Sequence, residues 1–104
     1  MAVILQIDFT MSADMLGDRL VNPATELANS ITKEPGFIAK IWTENKATNE
    51  AGGIYLFKDR ESAQNYVDMH QKRVEKMGAS NINYKIFDIN EALTKITQGP
   101  LHWD

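Results

Sequence analysis

The chain has 104 residues, 43% of them hydrophobic and 24% charged, and this length and composition predict one globular domain over residues 1–104. The net charge of −3 and the scattered Lys and Arg residues argue against a nucleic-acid partner, which would need clustered positive charge. No apolar run is long enough to span a membrane, so no membrane partner is expected. Because the chain has no cysteine, it offers no disulfide or thiol nucleophile, and a cytoplasmic location is expected.

The first two predicted elements are a strand and a helix. "VILQIDFT" alternates with a period of two, which is typical of a strand with one dry face. That face carries Val3, Leu5, Ile7 and Phe9. "MSADMLGDRLVNPATELANSITK" has the three-four apolar spacing of an amphipathic helix. Pro23 either kinks one continuous helix or lies in the first turn of a main helix capped by Asn22.

The middle of the chain predicts a hairpin followed by a second helix. "FIAKIWTE" and "GGIYLFKD" are strands joined by the polar loop "NKATNE", and such a pair most simply forms an antiparallel hairpin. Asp59 then caps the helix "RESAQNYVDMHQKRVEKMG", which Gly78 ends. The inner stripe of this helix is Ala63, Tyr66, Val67, His70, Val74 and Met77.

The end of the chain predicts a fourth strand, "INYKIFDI", a short helix, "NEALTKIT", and a tail whose His102 is given no chemical role. The resulting order is β-α-β-β-α-β with one further helix. We therefore expect an α+β fold, a ferredoxin-like sandwich with a four-stranded antiparallel sheet and helices on one face.

Alternation along the hairpin also predicts the two faces of the sheet. The face toward the helices is expected to hold Phe37, Ala39, Ile41, Ile54 and Leu56. The helix-free face is expected to hold Ile38, Lys40, Trp42, Glu44, Gly53, Tyr55 and Phe57. Large aromatic rings beside charges are typical of interfaces. This predicts a homodimer through the helix-free face, with a tail or loop covering that face as the alternative.

At this point the sequence resembles a known family. "IWTENKATNEAGGIYLFKDRESAQNY" and "KIFDINEALTKI" resemble the YdhR-type mono-oxygenases, members of the antibiotic-biosynthesis mono-oxygenase group in the dimeric α+β barrel superfamily. The resemblance covers nearly the whole chain. It implies a dimeric α+β barrel, a pocket between sheet and helices, and oxidation of an aromatic, quinol-like or polyketide-like compound by O₂ without a cofactor.

The candidate site residues come from that expectation and from the residue types available. His70, one turn after Tyr66 on the inner stripe, is the predicted proton acceptor, on the premise that it titrates near neutrality. Trp42 and Tyr55 are further catalytic candidates, with a dimer-interface role as the alternative. Asn45 and Asn49 are suitable types without a matching motif. The predicted substrate-binding residues are Ile7, Phe9, Ile41, Leu56 and Val67.

Two other functions remain open at the level of sequence. One is a non-catalytic dimer that binds a small apolar ligand or regulates a partner. The other is a haem-binding or haem-degrading protein, which shares the fold and would use His70 as an iron ligand. No metal site is predicted, and the absence of cysteine excludes a thiolate metal site.

Overall fold

The computed structural model describes residues 2–100, which form an α+β ferredoxin-like sandwich. The strands are β1 (Val3–Thr10), β2 (Phe37–Asn45), β3 (Glu50–Phe57) and β4 (Ser80–Asp88). The helices are α1 (Asp18–Ile31), α2 (Arg60–Lys76) and α3 (Glu91–Ile96), with a short 3-10 helix at Ala13–Met15 before α1. The predicted fold class and element order are confirmed.

All neighbouring strands are antiparallel, in the order β2-β3-β1-β4. The main core lies between this sheet and the two long helices. It contains the predicted dry face of β1, with Leu5 fully buried, together with Ile31 of α1 and Val67 of α2. Because β1 is central and pairs with both β3 and β4, its register sets which residues of those strands face the helices.

The predicted faces of the hairpin are wrong. Tyr55 and Phe57 pair with Leu5 and Val3, so both rings point toward the helices and are buried. Lys40 and Trp42 pair with Tyr55 and Gly53, which places them on the same helix-facing side. The side chains of Ala39, Ile41, Ile54 and Leu56 therefore lie on the helix-free face, where Ile41 is 63% exposed.

A β-bulge explains why simple alternation failed on β2. Phe37 pairs with Phe57 whereas Ala39 pairs with Leu56, so β2 uses one more residue than β3 at Ile38. An extra residue reverses the alternation beyond it. Phe37, which precedes the bulge, lies on the helix-facing side as predicted and packs edge-to-face on Phe57. The residues after the bulge lie on the faces opposite to those predicted for them.

The helix ends agree with their sequence signals, and of the two alternatives at Pro23 the structure has the single continuous helix. The Asp59 side chain accepts a hydrogen bond from the Ser62 N–H and starts α2, and Gly78 follows its end with a φ of +101°. α1 begins earlier than an Asn22 cap would allow, and Pro23 lies inside it. His102 is outside the described residues. Within residues 2–100, every helix is too short or too polar to cross a membrane.

Candidate active site

A cleft lies between α1, α2 and the helix-facing side of the sheet. It consists of three adjoining cavities of about 240, 30 and 410 Å³, and Leu20 of α1 lines all three. The smallest cavity is central, and its wall includes Trp42, Tyr55 and His70. Its walls and those of the first cavity are mainly apolar, which is common for sites that bind small organic ligands.

The four predicted catalytic residues come together beside the central cavity. The Tyr66 hydroxyl lies 3.2 Å from the Tyr55 hydroxyl, which lies 3.4 Å from Nε2 of His70. The Tyr66 and His70 rings are stacked, with centroids 4.8 Å apart. Trp42 lines the same cavity from β2. The fold thus brings the four residues together, and a catalytic role for them stays a prediction.

The hydrogen bonds of this cluster run in one direction, toward the Tyr55 oxygen. Nη2 of Arg73 lies 3.3 Å from Nδ1 of His70, and a guanidinium only donates, so Nδ1 must accept. A neutral imidazole that accepts at Nδ1 carries its proton on Nε2, which then donates to Tyr55. Tyr66 donates to the same oxygen. The Tyr55 hydroxyl proton is therefore left available for another acceptor.

The premise that His70 titrates near neutrality is wrong. Its side chain is only 2% exposed, and burial, together with the nearby charges of Lys40 and Arg73, lowers its pKa to about 3. His70 is thus neutral at physiological pH. It orients and polarises Tyr55 through Nε2, and it is a weak acceptor for a substrate proton.

Both buried tyrosines are also held in their neutral, donating form. Burial raises the pKa of Tyr55 well above its ordinary value, and the Tyr66 ring and hydroxyl beside it contribute further. Burial raises the pKa of Tyr66 to about 12. Tyr55, which accepts from Tyr66, can therefore donate a hydrogen bond to an anionic oxygen across the physiological pH range without losing its own proton.

Lys40 is a member of the cluster that the sequence analysis did not identify as a site residue. Its Nζ lies 3.3 Å from the centroid of a Trp42 ring and 4.6 Å from that of Tyr55. Burial, and secondarily the charge of Arg73, lowers the pKa of Lys40 to about 7. The sequence analysis already placed Lys40 on the same face as Tyr55, with which it pairs in the structure. It missed Lys40 because it assigned that face to the side of the sheet without helices.

The polar residues of the hairpin loop have structural partners. A Glu44 carboxylate oxygen accepts a 2.9 Å hydrogen bond from the Gly17 N–H, and this hydrogen bond connects the start of α1 to β2. The Asn49 side chain accepts from the Ala13 N–H, and the Asn45 side chain accepts from the Ala47 N–H. These amides shape the loop and the 3-10 helix.

The predicted substrate-binding residues are spread over three environments. Phe9 lines the central cavity. Ile7 and Val67 are core residues behind it, and a role in binding stays a prediction for these three. Ile41 and Leu56 lie on the helix-free face, so their predicted position in a pocket under the helices is wrong. Within residues 2–100, no three acidic or histidine side chains are close enough to hold a metal ion.

The sequence matches the model of the family described as "Putative mono-oxygenase ydhR" over residues 4–100. The chain belongs to the YdhR family. Its fold is similar to that of SnoaB, a cofactor-independent oxygenase from Streptomyces nogalater, with a TM-score of 0.61 and 13% identity over 86% of this chain and 93% of that one. A mutant of SnoaB matches over the same shares, with a TM-score of 0.59 and 14% identity. No curated protein matches the sequence.

Proposed function

We propose that this YdhR-family protein is a cofactor-independent mono-oxygenase that oxidises a small phenolic or quinol-like aromatic compound in the cleft under α1 and α2. The observation that carries the proposal is the set of donors that converge on the Tyr55 oxygen. A substrate oxygen that accepts from Tyr55 would be stabilised as negative charge develops on it. Family membership and the fold shared with SnoaB support the same activity.

The proposed reaction needs only the substrate and O₂. Loss of a proton gives an electron-rich substrate anion, which transfers an electron to O₂, and the two radicals combine as a peroxide. Loss of water from the peroxide converts a ring CH₂ into a C=O. The balance is R₂CH₂ + O₂ → R₂C=O + H₂O. The protein's contribution is a dry cavity and fixed donors for the anion.

The entry of a ring requires the cleft to open. The central cavity has a volume of about 30 Å³, whereas the cavities on either side have about 240 and 410 Å³. We propose that the substrate binds from the flanking cavities and displaces α1. The hydrogen bond from Gly17 to Glu44 is the polar link between the start of α1 and β2.

The test is oxygen uptake by the purified protein with a panel of quinols and anthrone-type compounds and no added cofactor. Tyr55→Phe should lower kcat by roughly 10-fold to 100-fold, in the range of a lost oxyanion donor. Tyr84→Phe is the matched control, because Tyr84 lies on β4, lines none of the three cavities, and has a hydroxyl that accepts a hydrogen bond from Gln64. Uptake that is equal in wild type and Tyr55→Phe would remove Tyr55 from the mechanism. No uptake with any compound would refute the oxygenase.

A homodimer through the helix-free face is part of the proposal, with different residues from those first predicted. On this face, one row of paired residues across the four strands is entirely apolar and consists of Phe87, Ile4, Leu56 and Ala39. The neighbouring row contributes the paired isoleucines Ile54 and Ile41. A second copy would remove this apolar surface from water, and full burial of one large side chain contributes roughly 1.5–3 kcal/mol.

Sedimentation analysis tests the homodimer. In a two-fold symmetric dimer each substitution acts twice, so Ile41→Glu should weaken association more than roughly 100-fold. Val21→Lys is the matched control, because Val21 has similar exposure, 60% against 63%, on α1. A wild-type monomer at assay concentrations would refute the dimer. A cytoplasmic location stays a prediction.

The second candidate is a non-catalytic protein that binds a small apolar ligand. The small size of the cavity beside His70 favours it, because the two larger cavities could hold a ligand that never reaches the cluster. A ligand that binds with no oxygen uptake by any substrate would support this function. The haem hypothesis is less favoured, since both ring nitrogens of His70 already have partners.

A further inference from the structure

The Lys40 ammonium is partly buried, and within residues 2–100 it forms no salt bridge. Its Nζ lies between the rings of Trp42 and Tyr55. Among the described residues, the one salt bridge joins Arg60 to Asp88, away from this cleft. A cation–π contact offsets part of the cost of burying an ammonium, and a hydrogen-bonded anion would offset much more.

The surrounding elements do not supply that anion. α2 contributes the neutral His70 and the positive Arg73, and β3 contributes the neutral Tyr55. Glu44, four residues from Lys40 along β2, also lines the central cavity, but it directs a carboxylate oxygen to the Gly17 N–H of α1. The cleft therefore has positive potential at its centre, where an anionic group of a ligand would be stabilised.

The sequence also leaves room for Lys40. A Cβ placed on Gly53 would lie 2.6 Å from Cε of Lys40 and 3.0 Å from Cε1 of Tyr55. Any other residue at position 53 would thus push the lysine off the aromatic rings. Gly53 has an ordinary strand φ, so the absence of a side chain is needed here for space and not for backbone conformation.

From this geometry we infer that Lys40 is the proton acceptor of the site and that its substrates are acidic aromatic hydroxyl compounds, whose oxyanion Lys40 then holds. This inference rests on the proposed function and names its substrate class. The ring hydroxyl gives its proton to the neutral Lys40 amine, and the O–H electron pair stays on the substrate oxygen as a phenolate. Lys40 becomes an ammonium beside it, and Tyr55 donates to the same oxygen. The lowered pKa of Lys40 supplies the neutral amine near pH 7.

The experiment uses 4-nitrophenol as a probe, because its phenolate and phenol absorb at different wavelengths. In the wild type, the bound probe should ionise at a pH lower by about one unit than the free probe, a tenfold change in its ionisation ratio. Lys40→Met should remove the shift. Lys72→Met is the control, because Lys72 is exposed on α2 and lines none of the three cavities of the cleft.

A second variant keeps the test valid if Lys40→Met does not fold. Gly53→Ala retains the lysine but displaces it, and it should reduce the shift. An equal shift in wild type and Lys40→Met, a shift unchanged in a folded Gly53→Ala, or no binding of 4-nitrophenol would overturn the inference. Oxygen uptake separates the two proposals. A Lys40-dependent shift without uptake would refute only the oxygenase, and uptake unchanged in Lys40→Met would refute only the role of Lys40.

Discussion

The partly buried Lys40 should make the stability of this protein depend on pH in a way that one substitution removes. Its pKa is lowered from 10.5 to about 7 on folding, mainly by burial. Between these values the unfolded chain binds more protons than the folded protein, so stability rises with pH across this window and falls as the pH drops toward 7. Lys40→Met should abolish this slope.

The size of the effect follows from the same shift. One proton corresponds to about 1.4 kcal/mol per pH unit. At pH 7 the folded protein holds about half a proton on Lys40, and at pH 9 almost none, while the unfolded chain stays nearly fully protonated. The free energy of unfolding of the wild type should thus rise by about 2 kcal/mol from pH 7 to pH 9, relative to Lys40→Met.

The measurement is urea denaturation at half-unit pH steps from 6.5 to about 9.5 on three proteins: wild type, Lys40→Met and Lys72→Met. Groups that titrate in all three, such as the α-amino group, cancel in the differences. Lys72→Met should run parallel to the wild type because Lys72 is exposed on α2, away from the helix-free face. Parallel curves for wild type and Lys40→Met would refute the argument that folding lowers the pKa of this lysine.

Three further substitutions test other parts of the structure. His70→Gln should reduce acid sensitivity, because stability from a buried neutral histidine is present above pH 6.5 and is lost toward pH 3. An acid unfolding midpoint equal to the wild type's would contradict this. Asp59→Ala should cost about 1 kcal/mol by removing the cap of α2. Asp88→Ala should lower the free energy of unfolding by under about 0.5 kcal/mol, since its ion pair is exposed. Equal urea midpoints for Asp59→Ala and Asp88→Ala would count against a stabilising cap at Asp59. Gly36→Ala should lower the melting temperature, because φ is +78° there and a Cβ would clash with Ser62.

The candidate site was predictable where it depended on one element. The inner stripe of α2 follows from helical spacing, and that spacing was enough to place Tyr66 and His70 toward the sheet. The chemistry of His70 was not predictable in the same way. Its pKa depends on burial and on Lys40 and Arg73, which come from two different elements, and no local pattern reports the distance between side chains so far apart in the sequence.

The sequence by itself determined the order of the elements, the helix cap at Asp59 and the dry face of β1, because each depends on a local hydrogen bond or a short period. Only the tertiary structure decided which face of the hairpin lies under the helices. β3 is apolar on both faces, so its own alternation favours neither. Pairing with the central strand β1 resolved this choice, and the extra residue at Ile38 then set the faces of β2. That one residue is the reason that Lys40 and Trp42 lie in the cleft.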